Sequence, residues 1–267
     1  MFKKNFNIKN DILYLFILIF LTEAFYFVAQ NSINNISFLT VIGILGILVI
    51  ETWFIRVFSI YSKRKISKYS DVIIKISVKD RFFSYFILPA VFYSTILLFL
   101  FFNKNELLGH FTLSISMVLL LVLFLNVKSS LKKVYSLESA TRAIFDFICI
   151  TTFYLLLNVY IRLGFSLEIF SIASFLSSIV LLLSVLKIHD RLGFVELVVS
   201  ILSSIFVAIV LIIFWNSNLF IIPAVGSLAF YLVTSLWNIR FSGKCYLTDY
   251  LAPFLYVIIS LILILNI

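Results

Sequence analysis

Apolar runs of about 20 residues recur from one end of this chain to the other, and they limit what it can fold into. A helix of about 20 apolar residues is long enough to cross the hydrocarbon core of a bilayer. Of the 267 residues, 63% are hydrophobic and 12% are charged, whereas a soluble domain is about 45 to 50% apolar. The composition therefore excludes a soluble globular domain. Nine spans are predicted, at about residues 12–31, 37–57, 82–102, 108–127, 143–163, 167–187, 194–215, 219–239 and 249–266.

The distribution of basic residues predicts the orientation of these spans. Of the 21 Lys and Arg residues, 19 fall at one set of predicted helix ends, and only Lys104 and Arg162 fall at the other. Cytoplasmic loops carry an excess of Lys and Arg, so the amino terminus is predicted to be cytoplasmic and the carboxyl terminus to be outside. Trp53, Trp215 and Trp237 fall near predicted membrane interfaces, where anchoring aromatic side chains are common. We predict an all-α, polytopic transmembrane helix bundle that forms a single integral membrane domain over residues 1–267.

The longest connection is a basic cytoplasmic loop at about residues 57–81. Its sequence has helical periodicity, since Ile66, Tyr69, Ile73 and Ile76 share one face and basic residues lie opposite. This pattern predicts an interfacial helix that contacts anionic lipids of the inner leaflet. The segment "DVIIKISV" also fits an extended conformation, and a solvated connector is a further alternative. Because the membrane surface explains the excess of basic residues, no nucleic acid partner is expected.

Charged residues at the cytoplasmic helix ends have two interpretations. Acids lie near predicted helix starts and bases near predicted helix ends, which is the preference of the helix macrodipole. Alternatively, the bases hold an anionic lipid head group, and the acids bind a metal ion or serve as a base. The candidate bases are Arg56, Arg142, Arg191, Arg240 and Lys244, and the candidate acids are Glu138, Asp146, Asp190 and Asp249.

Glu23 and Glu51 differ from these residues because both lie deep in predicted spans. The two helices that carry them are joined by a short loop, and no Lys or Arg lies at a comparable depth. An ionised carboxylate at mid-depth costs several kcal/mol unless it is paired or hydrated, so each group should be protonated, cation-bound or water-facing. One interpretation is a proton or cation site. The other is a neutral glutamic acid that donates a hydrogen bond to a neighbouring helix.

Three function classes remain open from the sequence. They are a small transporter coupled to protons or cations through the deep glutamates, a membrane enzyme acting on a phosphate-bearing lipid at the cytoplasmic face, and a scaffold or accessory subunit with a membrane-protein partner. The motifs of intramembrane prenyltransferases, zinc proteases and P-loop proteins are absent from the sequence, so no enzyme class is favoured. The two cysteines predict neither a disulfide nor a zinc site, and no cofactor is expected. We expect an integral protein of a bacterial cytoplasmic membrane.

Overall fold

The predicted helical membrane bundle is confirmed. A computed structural model describes residues 8–31, 36–61, 63–65, 73–75, 82, 86–103, 105–132, 138–188, 193–241, 243 and 246–266. Within these ranges there are nine α-helices, of which eight are long and apolar enough to cross a membrane. The helices are α1 (Ile8–Asn31), α2 (Ile36–Tyr61), α3 (Leu88–Phe102), α4 (Glu106–Lys132), α5 (Glu138–Arg162), α6 (Leu167–Ile188), α7 (Phe194–Ile213), α8 (Ile221–Phe241) and α9 (Leu247–Leu265).

The described part of the third helix lies within the span that the sequence predicts over residues 82–102. The α-helix α3 has 15 residues, which corresponds to a length of about 22 Å. A π-helical turn at Phe86 and Ile87 precedes it, and residues 83–85 lie outside the described part of the chain. Pro89 lies in its first turn, where the missing N–H group of proline causes no loss of a hydrogen bond. Most side chains of this helix are buried, among them Phe92, Tyr93 and Ile96, whereas Leu98 is exposed. It is therefore a central packing element of its part of the chain.

The long basic connection contains a pair of short strands where the sequence predicts a helix. Strand β1 (Lys63–Lys65) pairs antiparallel with β2 (Ile73–Lys75), and Arg64 lies opposite Ile74. The helix prediction is therefore wrong at these residues, and the extended alternative holds for β2. At β2 the consecutive β-branched side chains of Ile73 and Ile74 explain the difference, since they favour strands over helices. Residues 62, 66–72 and 76–81 of the connection lie outside the described residues, so its contact with the inner leaflet stays a prediction.

The chain divides into two compact units, which are Met1–Ile144 (unit 1) and Phe145–Ile267 (unit 2). In unit 1, helices α1 to α4 pack together around α3. Trp53 stacks on Phe124 with ring centroids 4.1 Å apart, and Phe54 meets both rings edge-on. Trp53 is 1% exposed, so it belongs to the core of this unit and is not the interface anchor that its position in the sequence indicates.

Two tyrosine side chains of unit 1 lie against glycines on neighbouring helices. The Tyr93 phenol occupies the space that a Cβ atom on Gly46 would need, and the Tyr26 phenol does the same at Gly109. Tyr93 also shares a 3.2 Å hydrogen bond with the Thr22 hydroxyl. These contacts join α1, α2, α3 and α4 closely, because glycine lets a bulky ring approach the backbone.

Unit 2 contains α6 to α9 and most of α5. Its core includes Phe153 stacked on Phe230, with ring centroids 5.0 Å apart. The hydroxyls of Ser178 and Ser204 are fully buried, and each donates to a backbone carbonyl of its own helix. These serines therefore serve the close approach of helices and do not line a polar pathway.

Candidate functional sites

Glu23 lies in a row of outward-facing aromatic side chains on α1. Phe16, Phe20 and Phe27 are about 70% exposed, and Glu23 is exposed between them. The spacing of four, three and four residues places all four on one face of the helix. The candidate span is Leu13–Gln30, which puts Glu23 about 2 Å from its middle at the usual helical rise.

Glu51 occupies the same place in a similar row on α2. Ile44, Leu48 and Ile55 are more than half exposed, and Glu51 is partly exposed among them. The candidate span is Ser37–Ser59, and Glu51 lies about 5 Å from its middle. Each of these neighbouring helices thus presents one carboxyl group, third in a row of four, at mid-depth on its outward-facing side.

Neither glutamate side chain is held by a described residue. The carboxyl groups of Glu23 and Glu51 make no hydrogen bond or ion pair with another described residue. The adjacent Thr22 points inward, is fully buried, and donates to the Leu18 carbonyl at 2.7 Å. Within the described residues, therefore, no neighbouring helix accepts the hydrogen bond that a purely structural glutamic acid would donate.

A polar network lies where α3 ends and α4 begins, and the sequence did not indicate it. The Gln30 amide donates to the Asn103 carbonyl at 3.1 Å, and the Tyr26 hydroxyl donates to the Glu106 carbonyl at 3.4 Å. The ring of His110 lies edge-on to Tyr26, with centroids 5.1 Å apart. The first bond satisfies the carbonyl group of Asn103, the residue that ends α3, and the second contacts the first residue of α4. The network therefore ties α1 to the turn between α3 and α4.

The cytoplasmic-face candidates are only partly described. Arg56 is exposed near the end of α2, Arg142 is partly exposed on α5, and Arg240 is exposed in the last turn of α8. The side chain of Glu138, in the first turn of α5, lies outside the described residues. The same applies to the whole of Arg191, Lys244 and Asp190. Their role in holding a head group or a metal ion remains a prediction.

One candidate acid has a partner that sequence reasoning missed. Asp146 on α5 is 6% exposed, and its Oδ2 atom accepts a 2.7 Å hydrogen bond from the Asn238 amide on α8. One carboxyl oxygen of Asp249 is also buried, without a hydrogen bond from a described residue. No group of three or more His, Cys, Asp or Glu side chains able to hold a metal ion occurs in the described part of the chain. The described residues at this end therefore include an acid–amide pair.

A pocket of about 220 Å³ lies at the other end of α5, in unit 2. It is lined by Asn158, Ile161, Arg162, Leu219 and Phe220. Sixteen residues of helix separate Asp146 from Arg162, or about 24 Å, so the pocket is distinct from the acid–amide pair. In the sequence, Arg162 was notable only because it and Lys104 are the two basic residues at the predicted outer helix ends.

Comparisons of this chain with protein-family models, with curated proteins and with solved structures found no match. Its function is therefore inferred from the chemistry of its own side chains.

Proposed function

We propose that this polytopic membrane protein is a transporter that binds protons or cations through Glu23 and Glu51. One observation carries the proposal: the two deepest carboxyl groups of unit 1 face outward on neighbouring helices and are not held by any described side chain. Ionisable groups at mid-depth commonly belong to ion and proton pathways. A group with a purely structural role is instead expected to bond to a packed neighbour.

The chemistry of the spans supports protons or cations as the partners of these groups. An unpaired carboxylate in hydrocarbon costs several kcal/mol, which protonation, cation binding or hydration removes. The described Lys and Arg residues, such as Arg56 and Arg162, lie toward the ends of the candidate spans. The described spans therefore supply no fixed positive charge at the depth of Glu23 and Glu51, and a mobile cation or a proton is left to neutralise them.

Carbodiimide labelling tests the proposal without knowledge of the solute. Dicyclohexylcarbodiimide enters the membrane and reacts with protonated carboxyl groups, and peptide mass spectrometry then locates the product. We expect labelling of Glu23 and Glu51 that falls as the pH is raised or as Na⁺ or K⁺ is added, since both changes remove the protonated form. Glu23→Gln and Glu51→Gln should each lose one labelled site. Labelling that responds to neither pH nor either cation would contradict the proposal.

Stability measurements separate this role from a structural one. Because both glutamates face outward, Glu23→Leu and Glu51→Leu should leave the thermal stability of the detergent-solubilised protein unchanged or raise it. A structural hydrogen bond between helices would instead be lost in the Leu variants, which would destabilise the protein by roughly 1 kcal/mol. The Gln variants serve as controls for side-chain shape, since glutamine keeps the hydrogen-bonding capacity but does not ionise.

A second candidate, an accessory subunit of a membrane complex, is favoured by the aromatic row around Glu23. A partner helix with a Lys, Arg or amide side chain at mid-depth would satisfy the carboxyl group and cover the exposed phenylalanines. A photoreactive phenylalanine analogue at position 20, in place of Phe20, should then crosslink to one membrane protein in cells. The same analogue in place of Phe206, an exposed residue of α7, is the matched control. Equal lipid-only labelling at both positions would exclude this candidate.

The lipid-enzyme alternative has less support in the described residues. It requires basic residues and a candidate acid around one pocket. The pocket of unit 2 contains Arg162 but neither Asp146 nor Asp249. The transporter therefore remains the function that the described geometry supports best.

A further inference from the structure

We propose that the pocket at the end of α5 binds an anionic group attached to an apolar body, such as a short-chain carboxylate or the head group of a lipid. This site goes beyond the proposed function and does not depend on proton or cation binding at Glu23 and Glu51. It is lined by one cationic side chain, one amide and three apolar side chains.

The chain makes this pocket from one helix end and one tight turn. At the end of α5, Gly164 has a φ of 70°, a left-handed conformation that glycine adopts without strain. Its N–H group donates to the Ile161 carbonyl at 3.0 Å, which ends the helix directly after Arg162. The opposite wall is the turn before α8, in which Ile221 N–H bonds to the Asn218 carbonyl at 2.9 Å. This turn leaves Leu219 more than half exposed.

The lining side chains fit an anion better than a cation. Arg162 contributes a guanidinium group, which carries N–H donors and a positive charge but no acceptor. Asn158 is 6% exposed, and its amide nitrogen donates to the Tyr154 carbonyl at 2.9 Å. That nitrogen carries a second N–H group, so the amide is a further donor to a bound anion. No acid is among the five lining residues, so an anion meets no repulsion from the lining itself.

The remaining walls and the size of the pocket define the rest of the ligand. Ile161, Leu219 and Phe220 provide apolar surface. A volume of about 220 Å³ is smaller than the roughly 300 to 1,000 Å³ of pockets for drug-sized ligands. The pocket therefore suits a carboxylate or phosphate group with the first few carbons of an apolar chain.

Packing behind the pocket holds its walls in place. The Tyr160 hydroxyl shares a 2.5 Å hydrogen bond with Ser177 of α6, and the Tyr160 ring stacks on Phe165 with centroids 5.7 Å apart. The ring centroids of Phe170, on α6, and Trp215 are 4.9 Å apart, and Trp215 lies in the turn that leads to α8. Both walls are thus connected through α6, and a preformed site loses less entropy when it binds its ligand.

The position of Arg162 can also be explained by the helix macrodipole without any ligand. An arginine at the end of α8 provides a control for that explanation. Arg162 lies in the last turn of α5, where a cation stabilises the helix macrodipole. Arg240 is likewise an exposed arginine in the last turn of a helix of unit 2, but it does not line the pocket. Arg240→Gln therefore removes the same macrodipole interaction without touching the proposed site.

The experiment measures thermal stabilisation of the full chain in neutral detergent by octanoate, with octanol as the uncharged probe. We expect octanoate, but not octanol, to raise the unfolding temperature of the unaltered chain and of Arg240→Gln. In Arg162→Gln the apparent dissociation constant for octanoate should increase roughly tenfold or more, as the loss of a hydrogen bond to a charged group implies. Leu219→Trp, a change at an exposed position, should fill the pocket and weaken octanoate binding to a similar extent.

A second measurement distinguishes a free anion from a lipid. Native mass spectrometry of protein taken from vesicles of phosphatidylcholine and phosphatidylglycerol reports which lipid stays bound. Loss of retained phosphatidylglycerol in Arg162→Gln, but not in Arg240→Gln, would identify a lipid head group as the ligand. Loss of octanoate binding alone would identify a soluble amphiphilic anion. Equal octanoate affinity and equal lipid retention in the two arginine variants would overturn the proposal.

Discussion

The contact between Tyr93 and Gly46 gives the sharpest prediction about the fold of unit 1. A methyl group on Gly46 would overlap the Tyr93 phenol, which is fully buried and hydrogen-bonded to Thr22. Because the ring has no free space to enter, it must shift or α2 must move away. Overpacking of this kind typically costs about 1 to 3 kcal/mol. Gly46→Ala should therefore carry a packing cost of about this amount.

Gly43→Ala is the matched control, since both glycines are buried in α2, one turn apart. A Cβ atom on Gly43 would lie 3.3 Å from Leu97 Cδ1, the end of a flexible side chain that can move by a few tenths of an ångström. Each variant gains the same helix propensity, at most about 1 kcal/mol, so this gain cancels in the comparison. Reversible unfolding in mixed micelles should show Gly46→Ala as the less stable of the two by about 1 to 3 kcal/mol.

The double variant Gly46→Ala, Tyr93→Phe tests the contact directly. Removal of the phenol oxygen takes away one of the overlapping atoms, so the two changes should cost less together than the sum of their separate costs. Equal stability of Gly43→Ala and Gly46→Ala, or additive costs in the double variant, would refute the packing of Tyr93 against α2.

Two further predictions concern unit 2 and the orientation of the chain. Asn238→Leu removes the amide that donates to buried Asp146, so it should lower the free energy of unfolding by about 1 to 3 kcal/mol. Adding Asp146→Asn to this variant should recover part of that loss. An unchanged unfolding temperature in Asn238→Leu would contradict the stabilising role of the pair. With Cys245 replaced by Ser, a cysteine in place of Lys104 should react with a membrane-impermeant maleimide on intact cells, whereas one in place of Lys128 should react only after permeabilisation. The reverse pattern would show that the predicted orientation is wrong.

The sequence predicted the helices well because the length and apolarity of a span are local properties. The sixth span was predicted at residues 167–187, and α6 covers Leu167–Ile188. The third span was predicted at residues 82–102, and α3 covers its carboxyl-terminal part, Leu88–Phe102. The strand β2 was misjudged because helical periodicity outweighed the β-branched pair Ile73 and Ile74.

Which elements face one another is a tertiary property, and there the sequence was less informative. Trp53 has the sequence position of an interface anchor, but the orientation of α2 places its side chain in the core against Phe124. Asn238 pairs with Asp146 from 92 residues away, and no local pattern marks such a partner. The pocket at Arg162 likewise requires that the turn before α8 meets the end of α5. The spacing of residues within one helix gives no information about that tertiary contact.

The rotation of α1 connects the fold of unit 1 with its candidate site. Successive residues of a helix are about 100° apart, so Thr22 and Glu23 point in different directions from the same turn. The hydrogen bond between the Thr22 and Tyr93 hydroxyls fixes the inward side of α1, and Gly46 provides the space in which Tyr93 can make it. With that side fixed, Glu23 must face outward in the row of phenylalanines. A small residue at position 46 therefore stabilises the fold and also determines which surface presents the carboxyl group.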